Sequence, residues 1–391
     1  MARARTDYGV ADLLAAKEMV VVCGSGGTGK TTVAAALGAQ AARATGGRVL
    51  VLTVDPARRL AVALGLSDLG VGNTPVRVPP AAFEAAGADC RGELWVAMLD
   101  TKAGWDDLIS RQAPSPALRD RVLANPLYLN ITGRFVNSHD YIAMEQLHDL
   151  HASGRWDLVV IDTPPSRNAL DLLDAPARMR EFFGSRLLKW LTVPYRSRLF
   201  NAASKPFYQV ADRVLGSRFL QDIAEFFVLF QTMEDGFVRR ATQVERLLHD
   251  DRTAFVVVST LEPAPAREAR FLTDELRRRG MPLGALVLNR TLPAAVRQPA
   301  AAKAAKALRA IEGPALAEVA AAVGARPREV AAVLEGVADR FGDLTVAASR
   351  EAERRAELEA VAPLTAVVPT LPADVHDLSA LLAIGGHLTA R

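Results

Sequence analysis

Residues 24–32 read Gly24-Ser25-Gly26-Gly27-Thr28-Gly29-Lys30-Thr31-Thr32. The run satisfies the phosphate-loop pattern G-x-x-x-x-G-K-[ST] at every required position. Met19 to Cys23, just before it, is a short apolar run with the composition of a buried strand. Val33 to Arg43, just after it, is Ala-rich, with Gly38 as its one glycine. Strand, loop and helix therefore follow one another in the order that a phosphate-binding turn requires.

Each residue type has its own reason to be there. Glycines let successive N–H groups converge on phosphate oxygens, and the new helix points its positive end at the same anion. Lys30 supplies a mobile point charge for the β and γ phosphates, and the Thr31 hydroxyl is suited to ligate Mg2+.

Composition bounds the rest. At 391 residues the chain can bury a large core. Half of it is hydrophobic and 23% is charged, the balance of an ordinary globular chain. A net charge of +3 with a pI near 9.0 reflects arginine excess without a concentrated basic stripe, so no nucleic-acid partner is expected. Cys23 and Cys90 are the only cysteines, which excludes a disulfide scaffold and fits a reducing cytoplasm. No apolar run reaches the length of a membrane span, and Met19 to Cys23 is too short for a signal-peptide core. A cytoplasmic protein, peripheral to a membrane only through partners, is the expectation.

Further along, Arg48 to Val54 is a second strand candidate that ends at Asp55-Pro56-Ala57. Ligands of doubly wound folds sit beyond the carboxyl ends of strands, so Asp55 is expected on the nucleotide side, able to orient or deprotonate a water. Leu66 to Gly92 reads as an irregular connection, followed by a strand over Glu93 to Asp100 and mostly helix over 101–151. His148 and His151 lie three apart with no third ligand nearby, and are expected to be ordinary surface histidines. Trp156 to Asp162 is a strand closing on an acid whose carboxylate is expected beside the Mg2+ shell. Thr163-Pro164-Pro165-Ser166, stiffened by two prolines, follows as a segment able to move when the γ phosphate is lost.

The set GSGGTGKTT, TVDPA, WDLVVIDTPPSRNALDLLDAP, VVVSTLEPAPAREARFLTDEL, LVLNR and VVPTLP resembles, in this order, the ArsA-like anion-transporting ATPases. That family includes the ATPase that targets tail-anchored proteins. More narrowly, the chain resembles one member of the paired ArsA-like ATPases of high-GC bacteria. The resemblance implies that Asp55 positions the hydrolytic water and that Asp162 stands near Mg2+. It also implies that Asn289 reads adenine, and that Pro369 to Leu371 form the loop packing on the base. The implied ligands are ATP and Mg2+.

Two departures from the family pattern matter. The family carries a second lysine where this chain has Ser25, and that lysine reaches a partner subunit's phosphates across a dimer. Serine is too short and uncharged to do so. The expectation is a heterodimer in which a lysine-bearing paralogue completes this chain's site; the alternative is a homodimer that uses another residue, such as an arginine, or works without one. The second departure is the absence of the Cys-x-x-Cys pair and scattered cysteines that hold zinc or metalloid in relatives, which argues against arsenite transport.

Nine of the fourteen phenylalanines fall between Phe182 and Phe237. Phe219, Ile223, Phe226, Phe230, Met233 and Phe237 recur at helical steps and make one broad apolar face. That face either holds a helical subdomain together or opens as a groove for an apolar client. From 293 to 360 the chain is Ala-, Arg- and Glu-rich with helical periodicity, and is read as a solvated helical insertion with partner docking as the alternative.

The expected architecture is one α/β P-loop NTPase domain over residues 1–391: a mainly parallel, doubly wound sheet with an inserted helical subdomain near 180–250. The expected function is a dimeric Mg2+-dependent ATPase that couples hydrolysis to movement of the helical subdomain. The alternative is a regulatory or scaffold subunit that binds ATP and hydrolyses it weakly. A partition-type ATPase acting on DNA or membrane is disfavoured by the modest charge and by a carboxyl-terminal tail with no basic amphipathic stripe.

Overall fold

A computed structural model describes residues 8–54, 64, 73–126, 128, 138–164, 173–175, 177–178, 180–181, 226–227 and 231–390. The first half of the chain runs α1 (Val10–Ala16), β1 (Met19–Gly24), α2 (Lys30–Thr45), β2 (Arg48–Thr53), β3 (Val76–Arg77), α3 (Pro80–Ala85) and β4 (Glu93–Met98). Helices α4 (Thr101–Gln112), α5 (Pro116–Leu123) and α6 (Ser138–Ala152) then lead to β5 (Leu158–Asp162). The second half holds α7 (Glu234–His249), β6 (Thr253–Ser259), α8 (Pro263–Arg278) and β7 (Leu283–Thr291). Last come α9 (Pro299–Arg309), α10 (Gly313–Val323), α11 (Pro327–Glu359), β8 (Thr365–Pro369) and α12 (Leu378–Thr389).

The eight strands form one sheet in the order β3-β4-β2-β5-β1-β6-β7-β8, parallel throughout except where β3 pairs antiparallel with β4. Its strands read as near-continuous apolar runs because both faces are covered. Met19, Val21 and Cys23 of β1 join one core with α4, α6, α7 and α8, while Val20 and Val22 join a second core with α1, α2 and α12. The chain winds outward from β1 in both directions, toward β5 and β2 on one side and β6 to β8 on the other. The carboxyl end of β1 is therefore the topological switch point, where ligands bind in such sheets.

Leu66 to Gly92 is more ordered than its composition suggests. Residues 65–72 lie outside the described residues, but Val76 and Arg77 pair with Val96 and Trp95, and α3 follows. Pro80 stands at the first position of α3, where a missing N–H costs nothing. The strands otherwise fall on the expected runs, shifted at their ends; β7, for example, continues past Asn289 to Thr291.

Asp55 and most of the Phe-rich segment lie outside the described residues. Of the helical stripe, Phe226, Met233 and Phe237 are described, and all three are buried in the first core. Phe237 meets Tyr141 and Trp105 at centroid distances of 6.0 and 6.4 Å. Below this aromatic cluster Arg240 of α7 bridges Glu145 and Asp149 of α6, and Arg111 of α4 also engages Asp149. Burial alone would push the Asp149 carboxyl up, but the hydrogen bonds from Arg240 and Arg111, with the His148 ring beside them, outweigh it and hold it well below the usual range. His148 and His151 are thus half-buried rather than free on the surface, the latter with Nε2 2.8 Å from Glu18. Between β7 and β8, α10 and α11 leave Val319, Val323, Val333, Val337, Leu344 and Val346 exposed.

Gly38 lies where α2 crosses β2, and a Cβ there would sit 2.2 Å from the Val51 side chain. Gly38→Val removes a helix-disfavouring glycine, a gain of well under about 1 kcal/mol, but overpacks a closed core at about 1–3 kcal/mol. A lower urea midpoint than wild type is expected; an unchanged or higher midpoint would mean that the α2 to β2 contact is looser than described.

Candidate nucleotide site

The phosphate loop leaves β1 at Gly24, which pairs with Val258 of β6. Its φ is +152°, and a Cβ would lie 2.1 Å from the Val258 carbonyl oxygen, so only glycine allows the chain to turn there. Gly29, the residue before α2, has φ +90° and would drive a Cβ to 2.4 Å from the Asn289 amide nitrogen. Between them the loop holds itself. Thr28 Oγ1 and Lys30 Nζ both donate to the Ser25 carbonyl at 2.9 Å. Lys30 is buried, and so is Ser25, whose hydroxyl has no hydrogen-bond partner among the described residues. Gly26 and Gly27 are exposed at the tip, and nothing lies within 4 Å of where a side chain on Gly27 would begin. Thr32, on the first turn of α2, is half-buried.

Three elements converge on one carboxylate oxygen. Asp162 Oδ2, at the end of β5, accepts from Thr31 Oγ1 of α2 at 2.7 Å and from Thr53 Oγ1 of β2 at 3.0 Å. The Val54 N–H donates to the Asp162 carbonyl at 3.2 Å, and Thr163 Oγ1 donates back to Val22 of β1 at 2.8 Å. These bonds join the carboxyl ends of β1, β2 and β5 around the first turn of α2.

Asn289 approaches from the other side. Its amide donates to the Thr28 carbonyl at 2.8 Å, and its own carbonyl accepts from the Arg290 N–H at 3.0 Å. Arg290 is the one residue other than glycine with positive φ among those described, at 54°, and its guanidinium reaches the Gly27 carbonyl at 3.2 Å. Pro369 pairs with Thr291 across β8 and β7, one strand beyond Asn289, and Leu371 packs against the second core. The structure thus brings Lys30, Thr31, Asp162 and Asn289 together at the loop, with Pro369 and Leu371 farther along the same edge.

Sequence reasoning singled out neither Thr53 nor Arg290, and took Thr163 as the start of a moving segment without its bond to Val22. Thr53 had a signal, as the one polar residue in the otherwise apolar run Val49 to Val54 at its carboxyl end. Arg290 had none, because its direction depends on a backbone conformation that arginine rarely adopts.

The residues fit a nucleotide and its cation. The glycine tip is open, an ammonium lies inside the loop, and the Thr31 hydroxyl with the Asp162 carboxylate is an all-oxygen pair of the sort a hard divalent cation selects. Elsewhere among the described residues no cluster of His, Cys, Asp and Glu could hold a metal ion.

The family model for anion-transporting ATPases matches residues 17–323. The chain belongs to that family. The matched stretch runs from the approach to β1 through α10 and stops short of α11, β8 and α12. The uncharacterized protein SCO2128 of Streptomyces coelicolor is 30% identical over 276 residues, covering 70% of this chain and 62% of that protein. Protein Rv2184c of Mycobacterium tuberculosis is 32% identical over 162 residues, 39% of this chain and 36% of its own length. The chain therefore spans less than two thirds of either curated relative. No helix among the described residues is long and apolar enough to cross a membrane.

Cys23 lies on β1 directly behind the loop, 2% exposed, with its Sγ 3.7 Å from the Val256 carbonyl. Burial pushes its thiol up to about 12, against the lowering effect of Lys30. Cys90 is only half-buried. A thiol-reactive disulfide reagent at about pH 8 should therefore modify Cys90 in the native protein and Cys23 only in denaturant. Fast reaction of both would show that the sheet opens beneath the phosphate loop.

Proposed function

We propose that this chain is a Mg2+-dependent ATPase whose hydrolytic site is built by the phosphate loop, Asp162 and Asp55. The observation that carries the reading is the convergence of Lys30, Thr31, Thr53 and Asp162 at the switch point of the sheet. Membership in the anion-transporting ATPase family supports it.

In this reading the loop N–H groups and the amino end of α2 bind the phosphates, and Lys30 neutralises charge on the β and γ groups. Thr31 and Asp162 would hold Mg2+, which would supply positive charge against that developing on the transferred phosphoryl group. Asp55 orients the water whose oxygen bonds to the γ phosphorus as the bond to the bridging oxygen breaks. Asn289 and the Pro369 to Leu371 loop take the adenine. Since the Asn289 amide already bonds the Thr28 carbonyl, base recognition and loop position share one side chain.

The same proposal extends to assembly. Ser25 contributes no charge, so a lysine-bearing paralogue completes the site in trans within a heterodimer, and ATP closes that dimer while hydrolysis relaxes it. The exposed valines of α10 and α11 offer apolar area to such a partner. The helical region near 180–250 passes the change to a client. Ser25 also favours a second reading, a regulatory subunit that binds ATP and hydrolyses it weakly.

Phosphate release decides between them. Lys30→Ala should lower kcat/KM for ATP by about 100-fold or more. Asp55→Asn should abolish turnover while ATP affinity stays within about three-fold. Adding the lysine-bearing paralogue from the same genome should raise turnover and give a mixed dimer on sedimentation in ATP. Rapid hydrolysis by this chain alone as a homodimer would overturn the heterodimer, and no hydrolysis under either condition would favour the regulatory reading.

A further inference from the structure

We propose that Arg290 is a nucleotide-positioning residue, whose guanidinium holds the Gly27 carbonyl so that the tip of the phosphate loop is preset to receive phosphate. The inference rests on the ATPase reading and adds to it a residue from the β7 side. Arg290 stands near the carboxyl end of β7, exposed, beside the buried Asn289. Its Nη1 donates to the Gly27 carbonyl at 3.2 Å, across 263 positions of chain. The guanidinium makes no ion pair among the described residues. Glu351 of α11 is engaged instead with the Leu292 N–H at 3.1 Å.

The backbone of β7 is shaped to bring this about. Leu288 pairs with Val367 and Thr291 with Pro369, so β7 takes three steps where β8 takes two, which is a bulge of one residue. Consecutive strand residues ordinarily face opposite sides of a sheet. Here both reach the loop, Asn289 at the Thr28 carbonyl and Arg290 at the Gly27 carbonyl. Arg290 takes a φ of 54°, unfavourable for an arginine by itself, and Asn289 Oδ1 holds it there by accepting from its N–H at 3.0 Å.

The consequence lies in the peptide units of the loop. The described peptide bonds are trans, so the C=O and N–H of one unit point in opposite directions. Turning the Gly27 and Thr28 carbonyls toward β7 turns the Thr28 and Gly29 N–H groups away from it, side by side, as an anion nest requires. Asn289 fixes the second of these units and Arg290 the first. Gly26 and Gly27 are exposed, and nothing lies within 4 Å of a Cβ on Gly27, so side-chain packing does not confine the tip. A flexible glycine loop loses entropy when it closes on a ligand, and a guanidinium that holds the tip beforehand lessens that loss.

Calorimetric titration of the full chain with a non-hydrolysable ATP analogue and Mg2+ tests the role. Arg290→Gly suits the left-handed backbone while removing the guanidinium, so its urea midpoint should stay close to that of wild type while binding weakens about ten-fold. Arg290→Lys keeps a cationic donor and should recover most of that loss. In the nucleotide-free protein the Thr28 amide resonance should move in Arg290→Gly, because its peptide unit loses the donor on its carbonyl.

Equal affinity in wild type and Arg290→Gly would overturn the positioning role and leave the ATPase reading intact. A wild type that binds no analogue up to about 10 mM would overturn both. A midpoint and an affinity that fall together, with no recovery in Arg290→Lys, would reduce Arg290 to a structural part of β7. An unmoved Thr28 amide would show that the guanidinium does not act through the loop, and the role as stated would fall.

Discussion

The closeness of β1 to β6 at Gly24 is the contact on which the site depends. With the Val258 carbonyl where a Cβ would stand, the chain can leave the sheet only through a glycine, and it turns there into the phosphate loop. The loop is then held from two sides. Asn289 takes the Thr28 carbonyl from the β7 side, and the carboxylate of Asp162 gathers Thr31 and Thr53 from the β5 side. The ends of four strands and the start of α2 are therefore one hydrogen-bonded unit, and a change at any of them is felt by the others. Rigidity of this kind suits a site that acts by positioning and charge.

Away from the loop, the helical face carrying α6 and α7 is held by a different combination. Tyr141, Trp105 and Phe237 bury a continuous aromatic cluster, and the Arg240 bridge to Glu145 and Asp149 lies at its border. A buried ion pair is costly to break because it strands a charge, which makes α6 and α7 move together rather than slide. α7 lies at the carboxyl-terminal end of the segment, near 180–250, that the sequence marks as an inserted helical subdomain.

The two edges of the sheet carry different polar groups. The carboxyl edge holds the Lys30 ammonium and the Asp162 carboxylate, while at the amino edge of β2 and β4 Arg48 and Arg77 flank Glu93, with Asp157 on the Arg48 N–H. β2 spans both, beginning at Arg48 and ending at Thr53.

The strand, loop and helix around residues 19–45 were legible from sequence because each rests on local rules: apolar runs make buried strands, glycines make the curl, and lysine with threonine ends it. The same holds for β5 closing on Asp162, and for the α/β class. Other features arise between residues far apart in the chain, and no local pattern encodes them. Thr53 meets Asp162 across 109 positions, and Asn289 meets Thr28 across 261. β3 joins the sheet only because β4 presents an open edge to a short segment that reads as loop, and Arg77 faces Arg48 and Glu93 only as a result. What the sequence by itself determined is the chemistry at the end of β1. The tertiary structure decided which distant side chains complete that edge and which charges gather at the other, because strand order sets those neighbours.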